Sequence, residues 1–341
     1  MKFSPLSALI NGNLLHLTST WKMVYPAAVL HVFTFMMISL CKTYWQLMLA
    51  QGVLLGFTQG AMVVPATAAV RQHFHEKRGV ALGVTVAGSS VGGIVLPIIM
   101  SKMLNDSNLG FGWSVRIMGF ILILPMSIAC FTIRPHHAWQ KIRFSVQEAT
   151  RNHTFTTSIA SMFIVLLGMY TPVYYLPSFA VAHGMKPTLA SYLLAIYNGS
   201  STIGRIVPGM VADKVGHLNV YAATGICTGI ITLCWSRATS NAGIIVYTAF
   251  IGFTSGGILS GLAASLSVCV KDPRQMGVYM GVGMAVASLA SLIGPPINGV
   301  LLREYGGFTP LTIFSGVACI VGGFLAVLCK ATLPQGLLGR V

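Results

Sequence analysis

The chain is a succession of apolar stretches, each long enough to cross lipid hydrocarbon, separated by short polar connections. A membrane span needs about 20 mostly apolar residues. Ten stretches meet that need, at residues 22–41, 43–70, 79–103, 113–133, 154–179, 188–212, 218–236, 242–269, 275–302 and 308–331. Because hydrocarbon cannot satisfy exposed backbone groups, each stretch is predicted to be an α-helix. The pattern therefore predicts an all-α multi-pass membrane protein.

Part of this pattern occurs twice. The stretch Gly79-Val-Ala-Leu-Gly83 recurs as Gly277-Val-Tyr-Met-Gly281, at a shift of 198 residues. Just upstream, Gly56-Phe-Thr-Gln-Gly60 matches Gly252-Phe-Thr-Ser-Gly256 at a shift of 196. A repeat of this length is far longer than a solenoid unit. It is the spacing expected of a membrane protein made of two similar helical halves.

The two halves are unequal in the number of predicted spans. Three spans precede the repeated pair in the second half, whereas only the span at 22–41 precedes it in the first half. We therefore expect the chain to lack the first two helices of a twelve-helix parent. The predicted domains are an N-terminal stub (1–21), a truncated four-helix bundle (22–133), a linker (134–153), a six-helix bundle (154–331) and a tail (332–341).

Glycines recur at four-residue spacing in both halves, as Gly52-x3-Gly56-x3-Gly60 and Gly252-x3-Gly256. Small residues at this spacing let two helix backbones approach closely in a membrane. The simplest interpretation is helix packing. Recurrence in both halves also suggests helices that slide past a partner.

Composition supports the membrane prediction. Apolar residues make up 55% of the chain and charged residues only 8%, against roughly a quarter charged in an ordinary globular domain. The net charge of +15 resembles that of a nucleic-acid-binding protein. The charges lie between the apolar spans, however, so loop charges are the preferred interpretation and no nucleic-acid partner is expected.

The loop charges predict an orientation, because basic residues concentrate in cytoplasmic loops. One set of alternate loops contains twelve basic residues and the other contains six. The richer set is Arg71, Lys77, Arg78, Arg134, Lys141, Arg143, Arg151, Lys214, Lys271, Arg274, Lys330 and Arg340. Both termini and the linker are therefore predicted to be cytoplasmic, with the plasma membrane as the expected location.

One polar connection contains the sequence Gly209-Met-Val-Ala-Asp213-Lys214-Val-Gly216. Glycines and an acid at this spacing suit a tight turn, and Asp213 can accept hydrogen bonds from helix N-terminal amides or from an arginine. The spacing GxxxD[RK]xG resembles the loop signature of the major facilitator superfamily. We expect Asp213, Gly209 and Gly216 to form a conformational latch. Lys77 and Arg78 are expected to belong to a second latch, in the loop that matches Lys271-Asp-Pro-Arg274 of the other half.

A narrower resemblance covers about residues 22–331. The sequence from Lys77-Arg78-Gly79 through Ser89-Ser90-x-Gly92-Gly93 to Pro97 resembles the fifth helix of the monocarboxylate-porter family, especially its fungal branch. The sequence Asn198-Gly-x-Ser201-x-x-Gly204-Arg205 resembles that family's eighth helix. The family signature of the first helix is absent here.

Arg205 is the leading candidate for substrate contact. It lies eight residues before Asp213, about 12 Å along a helix, and a charge at that depth indicates a functional site. The resemblance implies contact with a substrate anion, for which the guanidinium fork is suited. The alternative is that Arg205 reaches the interface or pairs with Asp213. Asn198 and Tyr170 are further candidates, with interhelical hydrogen bonding as the alternative.

All six acidic residues fall in loops or at helix ends. Proton coupling would therefore have to use His31, the substrate itself or the missing helices, although packing is the more common role for such a histidine. No nucleotide loop, metal cluster or nucleophile is visible, so neither a cofactor nor an enzyme is expected.

The resemblance implies a secondary transporter that moves a small organic acid or related metabolite across the lipid bilayer. One alternative is an efflux transporter for a fungal secondary metabolite. An alternative of another class is a truncated membrane protein that does not transport, and a polytopic membrane enzyme is a distant third. Substrate identity, direction, coupling ion and oligomeric state stay open.

Overall fold

The computed structural model describes residues 20–74, 78–105, 107–132, 152–268 and 276–333. The predicted stub up to residue 19, nearly all of the linker and the tail from residue 334 lie outside the described residues, and so does Lys77.

The described residues form helices throughout, as the apolar pattern predicts. The first part of the chain contains α1 (Thr20–Leu40), α2 (Tyr44–Leu47), a π-helical segment (Met48–Leu54), α3 (Leu55–His73), α4 (Arg78–Asn105) and α5 (Gly110–Thr132). The second part contains α6 (His153–Met169), α7 (Thr171–Ala182), α8 (Pro187–Val215), α9 (His217–Leu233), α10 (Asn241–Val268), α11 (Met276–Tyr305) and α12 (Thr309–Ala331), with a 3₁₀ turn at Trp235–Arg237.

The observed bounds confirm the predicted all-α class, and each predicted span is found within about three residues of its place. Among the described residues, seven helical stretches are long and apolar enough to cross a membrane: Gly83–Leu104, Gly110–Thr132, His153–Ala182, His217–Arg237, Asn241–Leu262, Tyr279–Tyr305 and Thr309–Ala331. A shorter apolar helix covers Val24–Leu40.

Two of the predicted spans are less regular than the sequence suggested. The span at 154–179 is two helices, because Pro172 has no amide hydrogen to donate to the carbonyl four residues earlier and the helix breaks at Tyr170. The span at 43–70 contains the seven-residue π-helical segment before α3. Both departures depend on local backbone geometry, which hydropathy does not report.

Local sequence sets the ends of several helices. The side chain of Asn152 accepts a hydrogen bond from the amide of Phe155 and so caps α6, at 3.3 Å. Pro187 occupies the first position of α8, where the missing amide hydrogen costs nothing. Gly216 separates α8 from α9 with φ of 108°, a backbone conformation that favours glycine.

The contacts group the chain into two compact units. Unit 1 contains residues 1–75, 96–144 and 272–288, and in it α1 packs against α3 and α5. Buried side chains of Ile38, Ala50, Leu55 and Val115 form one core cluster there. Unit 2 contains residues 76–95, 145–271 and 289–341. Its core is an aromatic cluster in which Trp235 is fully buried and stacks on Tyr247, with ring centroids 5.7 Å apart.

In unit 2, Gly252 and Gly256 of α10 face the backbone of α8. A Cβ placed on Gly256 would lie 2.5 Å from the carbonyl oxygen of Ser201, and one on Gly252 would lie 2.5 Å from that of Tyr197. From the other side, a Cβ on Gly204 would overlap the carbonyl group of Phe253. The predicted close approach of helix backbones at the second glycine repeat is therefore confirmed.

Candidate functional site

The polar side chains of α8 meet the first half of α4 along one strip, which we call the α4–α8 interface. The two helices run antiparallel there, and the whole interface belongs to unit 2. On α4 it consists of Val80, Gly83, Val86, Ser89 and Gly93, and on α8 of Asn198, Arg205 and Asp213. The α4 strip spans 13 residue steps, about 20 Å of helix.

Arg205 lies near the middle of this interface and is 6% exposed. Its Nη1 donates to the backbone carbonyl of Val86 and to Oγ of Ser89, the latter at 2.5 Å. Its Nε has no hydrogen-bond partner. The described hydrogen-bond partners of Arg205 lie on α4. Arg205 therefore does not pair with Asp213 in this conformation.

Two glycines hold the backbone of Arg205 between neighbouring helices. A Cβ on Gly83 of α4 would lie 2.5 Å from the carbonyl oxygen of Arg205, and one on Gly256 of α10 would lie 3.0 Å from its amide nitrogen. The arginine is thus fixed by backbone contacts on both sides. Such a charge at mid-helix is costly unless it has polar partners.

Further polar groups lie close to Arg205 in space or in sequence. Tyr170, at the break between α6 and α7, and the buried Tyr197 are both electrostatic neighbours of Arg205. Ser201 lies one turn before Arg205 on the same helix, and Ser90 follows the serine that binds the guanidinium. Both hydroxyls are fully buried and have no hydrogen-bond partner. Arg205, Ser90 and Ser201 therefore each have a buried polar atom without a partner.

Asn198 makes a hydrogen bond between two helices, which is the alternative to substrate contact named in the sequence analysis. Its Nδ2 donates to the carbonyl of Gly93 at 3.3 Å and to that of Leu194 at 2.8 Å. A Cβ on Gly93 would lie 2.8 Å from Oδ1 of Asn198. Asn198 thus ties α8 to α4, two helical turns from Arg205.

Asp213 closes the other end of the interface. One carboxylate oxygen, Oδ2, accepts from the amide of Val80 in the first turn of α4, at 3.2 Å. The other, Oδ1, lies 3.8 Å from Nε2 of His217. First-turn amides have no partner within their own helix and carry partial positive charge, so a carboxylate is stabilising there.

The remaining predicted latch residues are placed in part. Gly209 is buried in α8, and Gly216 provides the positive-φ turn after Asp213. Arg78 is the first residue of α4, but its side chain lies outside what the structure describes.

Sequence reasoning missed a buried polar cluster where α7, α11 and α12 meet. Ser315 donates to Oγ1 of Thr171 at 2.6 Å, and Nδ2 of Asn298 donates to the same oxygen at 2.9 Å. Each of the three residues is at most 1% exposed. The cluster lies at the helix break after Tyr170. In the sequence, the feature that could have indicated it is Asn298, a polar residue within a predicted span.

The Major Facilitator Superfamily profile matches residues 6–236 and 159–337. The aspyridones efflux protein of Emericella nidulans is 46% identical over 305 residues, which cover 89% of this chain and 62% of that protein. The agnestins efflux protein of Paecilomyces divaricatus is 35% identical over 312 residues, covering 90% of this chain and 70% of that protein.

The fold has solved counterparts. The crystal structure of the E. coli fucose:proton symporter FucP superimposes with a TM-score of 0.76 at 15% identity, covering 97% of this chain and 90% of that one. At this identity the likeness concerns the fold alone. The present chain spans a little less than two thirds of the length of the aspyridones efflux protein.

Proposed function

The chain belongs to the major facilitator superfamily, and from this membership we propose that it is a secondary transporter that exports an acidic secondary metabolite. Two of its relatives are efflux proteins for fungal secondary metabolites, the aspyridones and the agnestins. Their 46% and 35% identities over about nine tenths of this chain support export over uptake of a nutrient. The monocarboxylate-porter branch is a finer part of the proposal and rests on the sequence resemblance.

The observation that carries the proposal is the state of Arg205. Among the described residues, the buried guanidinium contacts one backbone carbonyl and one hydroxyl, its Nε is unpartnered, and no carboxylate pairs with it. A carboxylate matches the guanidinium fork better than those neutral acceptors do. We infer that an anionic substrate takes the place of the α4 contacts when α4 and α8 separate.

Tyr170 supports the same assignment, because its hydroxyl interacts electrostatically with Arg205 from a position at a helix break. Asn198 enters the proposal differently. Its amide is engaged with Gly93, so it would meet substrate only after the α4–α8 interface opens.

Asp213 supplies the latch in this proposal. Its bond to the first turn of α4 holds the end of the interface opposite Asn198. Opening for export would break this bond, and closing would restore it. The cytoplasmic position of this latch, cytoplasmic termini and a plasma-membrane location belong to the proposal and rest on the loop charges.

The proposal is tested with Arg205→Ala in proteoliposomes containing the full chain. The probe is p-aminohippurate, an organic carboxylate, measured beside its uncharged amide. We expect exchange of the carboxylate to fall by at least about tenfold, as for a lost charge-assisted contact of more than about 1.4 kcal/mol. Exchange of the uncharged amide should fall by a smaller factor.

The matched control is Arg303→Ala, because Arg303 is an exposed arginine at the end of α11. Arg205→Lys keeps the charge but removes the fork, and it serves as a second variant if alanine prevents assembly. Exchange of p-aminohippurate by Arg205→Ala at the wild-type rate would remove Arg205 from the substrate site.

A further inference from the structure

His31 lies at mid-length of α1 and is 4% exposed. Its Nδ1 is 2.9 Å from Oγ1 of Thr58 on α3, and that hydroxyl in turn donates to the carbonyl of Leu55 at 2.9 Å. A hydroxyl has one proton to donate. Both bonds form together only if Nδ1 carries a proton and donates it to Thr58. The geometry thus assigns the Nδ1–H tautomer and leaves the lone pair of Nε2 unused.

No described charged side chain faces this imidazole. On α5, Arg116 donates to Ser39 instead, eight residues along α1 and about 12 Å from His31, and Cys130 packs near the start of α1. The side chains of α3 that the structure describes include no titratable group. On α1 itself, the ring of Phe35 lies 5.5 Å from that of His31, and Tyr25 belongs to the same cluster as Cys130.

The helix that carries Thr58 is unusual directly before the site. The π-helical segment Met48–Leu54 ends at the residue before Leu55, whose carbonyl accepts the Thr58 hydroxyl. Such segments are rare and occur frequently at functional sites. The segment also lines an open apolar groove of about 520 Å³, together with Phe33 and Met37 of α1.

We propose that His31 is a proton-binding site that couples transport to a pH gradient. A proton adds to the lone pair of Nε2, while the Nδ1–H bond to Thr58 stays intact. Among the described side chains the imidazolium has no anionic partner, and a buried unpaired charge is costly. Protonation therefore favours a conformation in which Nε2 meets water, where the proton can leave again. Only the coupling part of this inference rests on the proposed transport function.

Proton binding is tested without any substrate. The full chain is placed in lipid nanodiscs with ¹⁵N-labelled histidine, and the His31 signal is identified by its absence from His31→Asn. Asparagine places an amide donor near the position of Nδ1 but cannot titrate. We expect an Nδ1–H tautomer at neutral pH that converts to the doubly protonated form on acidification, within about pH 4 to 8. The assignment would be overturned if the His31 signal showed only the neutral imidazole at every pH down to the one at which the protein unfolds.

Thr58→Val is the second variant, because it keeps the titratable ring and removes the acceptor. The assignment predicts that its His31 signal still titrates but becomes a mixture of neutral tautomers. A signal that keeps the wild-type tautomer would overturn the role given to Thr58.

Coupling is tested with p-aminohippurate in proteoliposomes, by comparing net export driven by a pH gradient with counterflow at equal pH. We expect the ratio of the two rates to fall on the order of tenfold in His31→Asn and to keep its wild-type value in His153→Asn, a control at the start of α6. An unchanged ratio in His31→Asn would overturn coupling. Absent counterflow in the wild type would instead contradict the proposed transport function and leave the histidine spectra to decide proton binding.

Discussion

At the scale of single residues, the carboxylate of Asp213 shows how one side chain can join two helices. The amide of Val80 lies in the first turn of α4, where no carbonyl of its own helix is available, and Asp213 accepts from it. The side chain of Asp213 is only 16% exposed, so solvent screening reduces the interaction less than at an open surface.

We predict that Asp213→Ala accelerates hydrogen exchange of the Val80 amide by about two- to fivefold. This factor corresponds to about 0.5–1 kcal/mol, the usual value of a carboxylate at a helix N-terminus. Asp213→Asn keeps an acceptor without its charge and should give a smaller effect. Exchange is measured by mass spectrometry on the peptide that contains the start of α4.

The control for that experiment is Lys214→Ala, which removes an exposed charge next to Asp213. If Asp213→Ala exchanged at the wild-type rate, the bond to Val80 would not be holding α4, and the latch would lose its basis.

The candidate residues could be predicted from sequence, but their partners could not. A lone arginine within an apolar span indicates a site wherever it points, and a GxxxDKxG turn indicates a carboxylate near a helix end. The partners depend on the register between α4 and α8. This register brings Arg205 to Val86 and Ser89, and it brings Asn198 to Gly93. The residues in these contacts are more than a hundred positions apart in the chain, and no local pattern encodes the register between their helices.

At the scale of helices, glycine spacing determines how closely α8 and α10 approach. The four-residue spacing of glycines predicted this packing, because the spacing can be read from a short stretch of sequence. The helix break at Tyr170 and the π-helical segment depend instead on proline chemistry and backbone geometry, which the hydropathy pattern does not show.

We predict that Gly256→Ala destabilises the α8–α10 pair by about 1–3 kcal/mol, as overpacking does, and lowers Tm by several degrees. The added methyl group would lie 2.5 Å from the carbonyl oxygen of Ser201, a backbone atom that cannot move aside alone. Gly88→Ala is the matched control, since a Cβ on that helical glycine meets nothing within 4 Å. Equal melting temperatures for the two variants, measured in the same detergent, would contradict the close contact.

At the scale of the whole molecule, the loop charges make a prediction that is independent of any substrate. The connection after α4 belongs to the set with six basic residues, and the chain after α12 belongs to the set with twelve. The positive-inside rule therefore predicts that they lie on opposite sides of the membrane, with the end of α12 in the cytoplasm.

We predict that an epitope tag inserted after Ser107 is protected from protease in sealed microsomes, whereas a tag inserted after Thr332 is digested. Both sites follow the end of a helix, and Ser107 is exposed, so insertions should be tolerated. Detergent should make both tags sensitive, which controls for intrinsic resistance. The reverse pattern would invert the chain and place the Asp213 latch on the non-cytoplasmic side. The bond between Asp213 and Val80 would then close the non-cytoplasmic side of the protein. In that case the proposed export through Arg205 would have to start from a conformation that is open to the cytoplasm while this bond is intact.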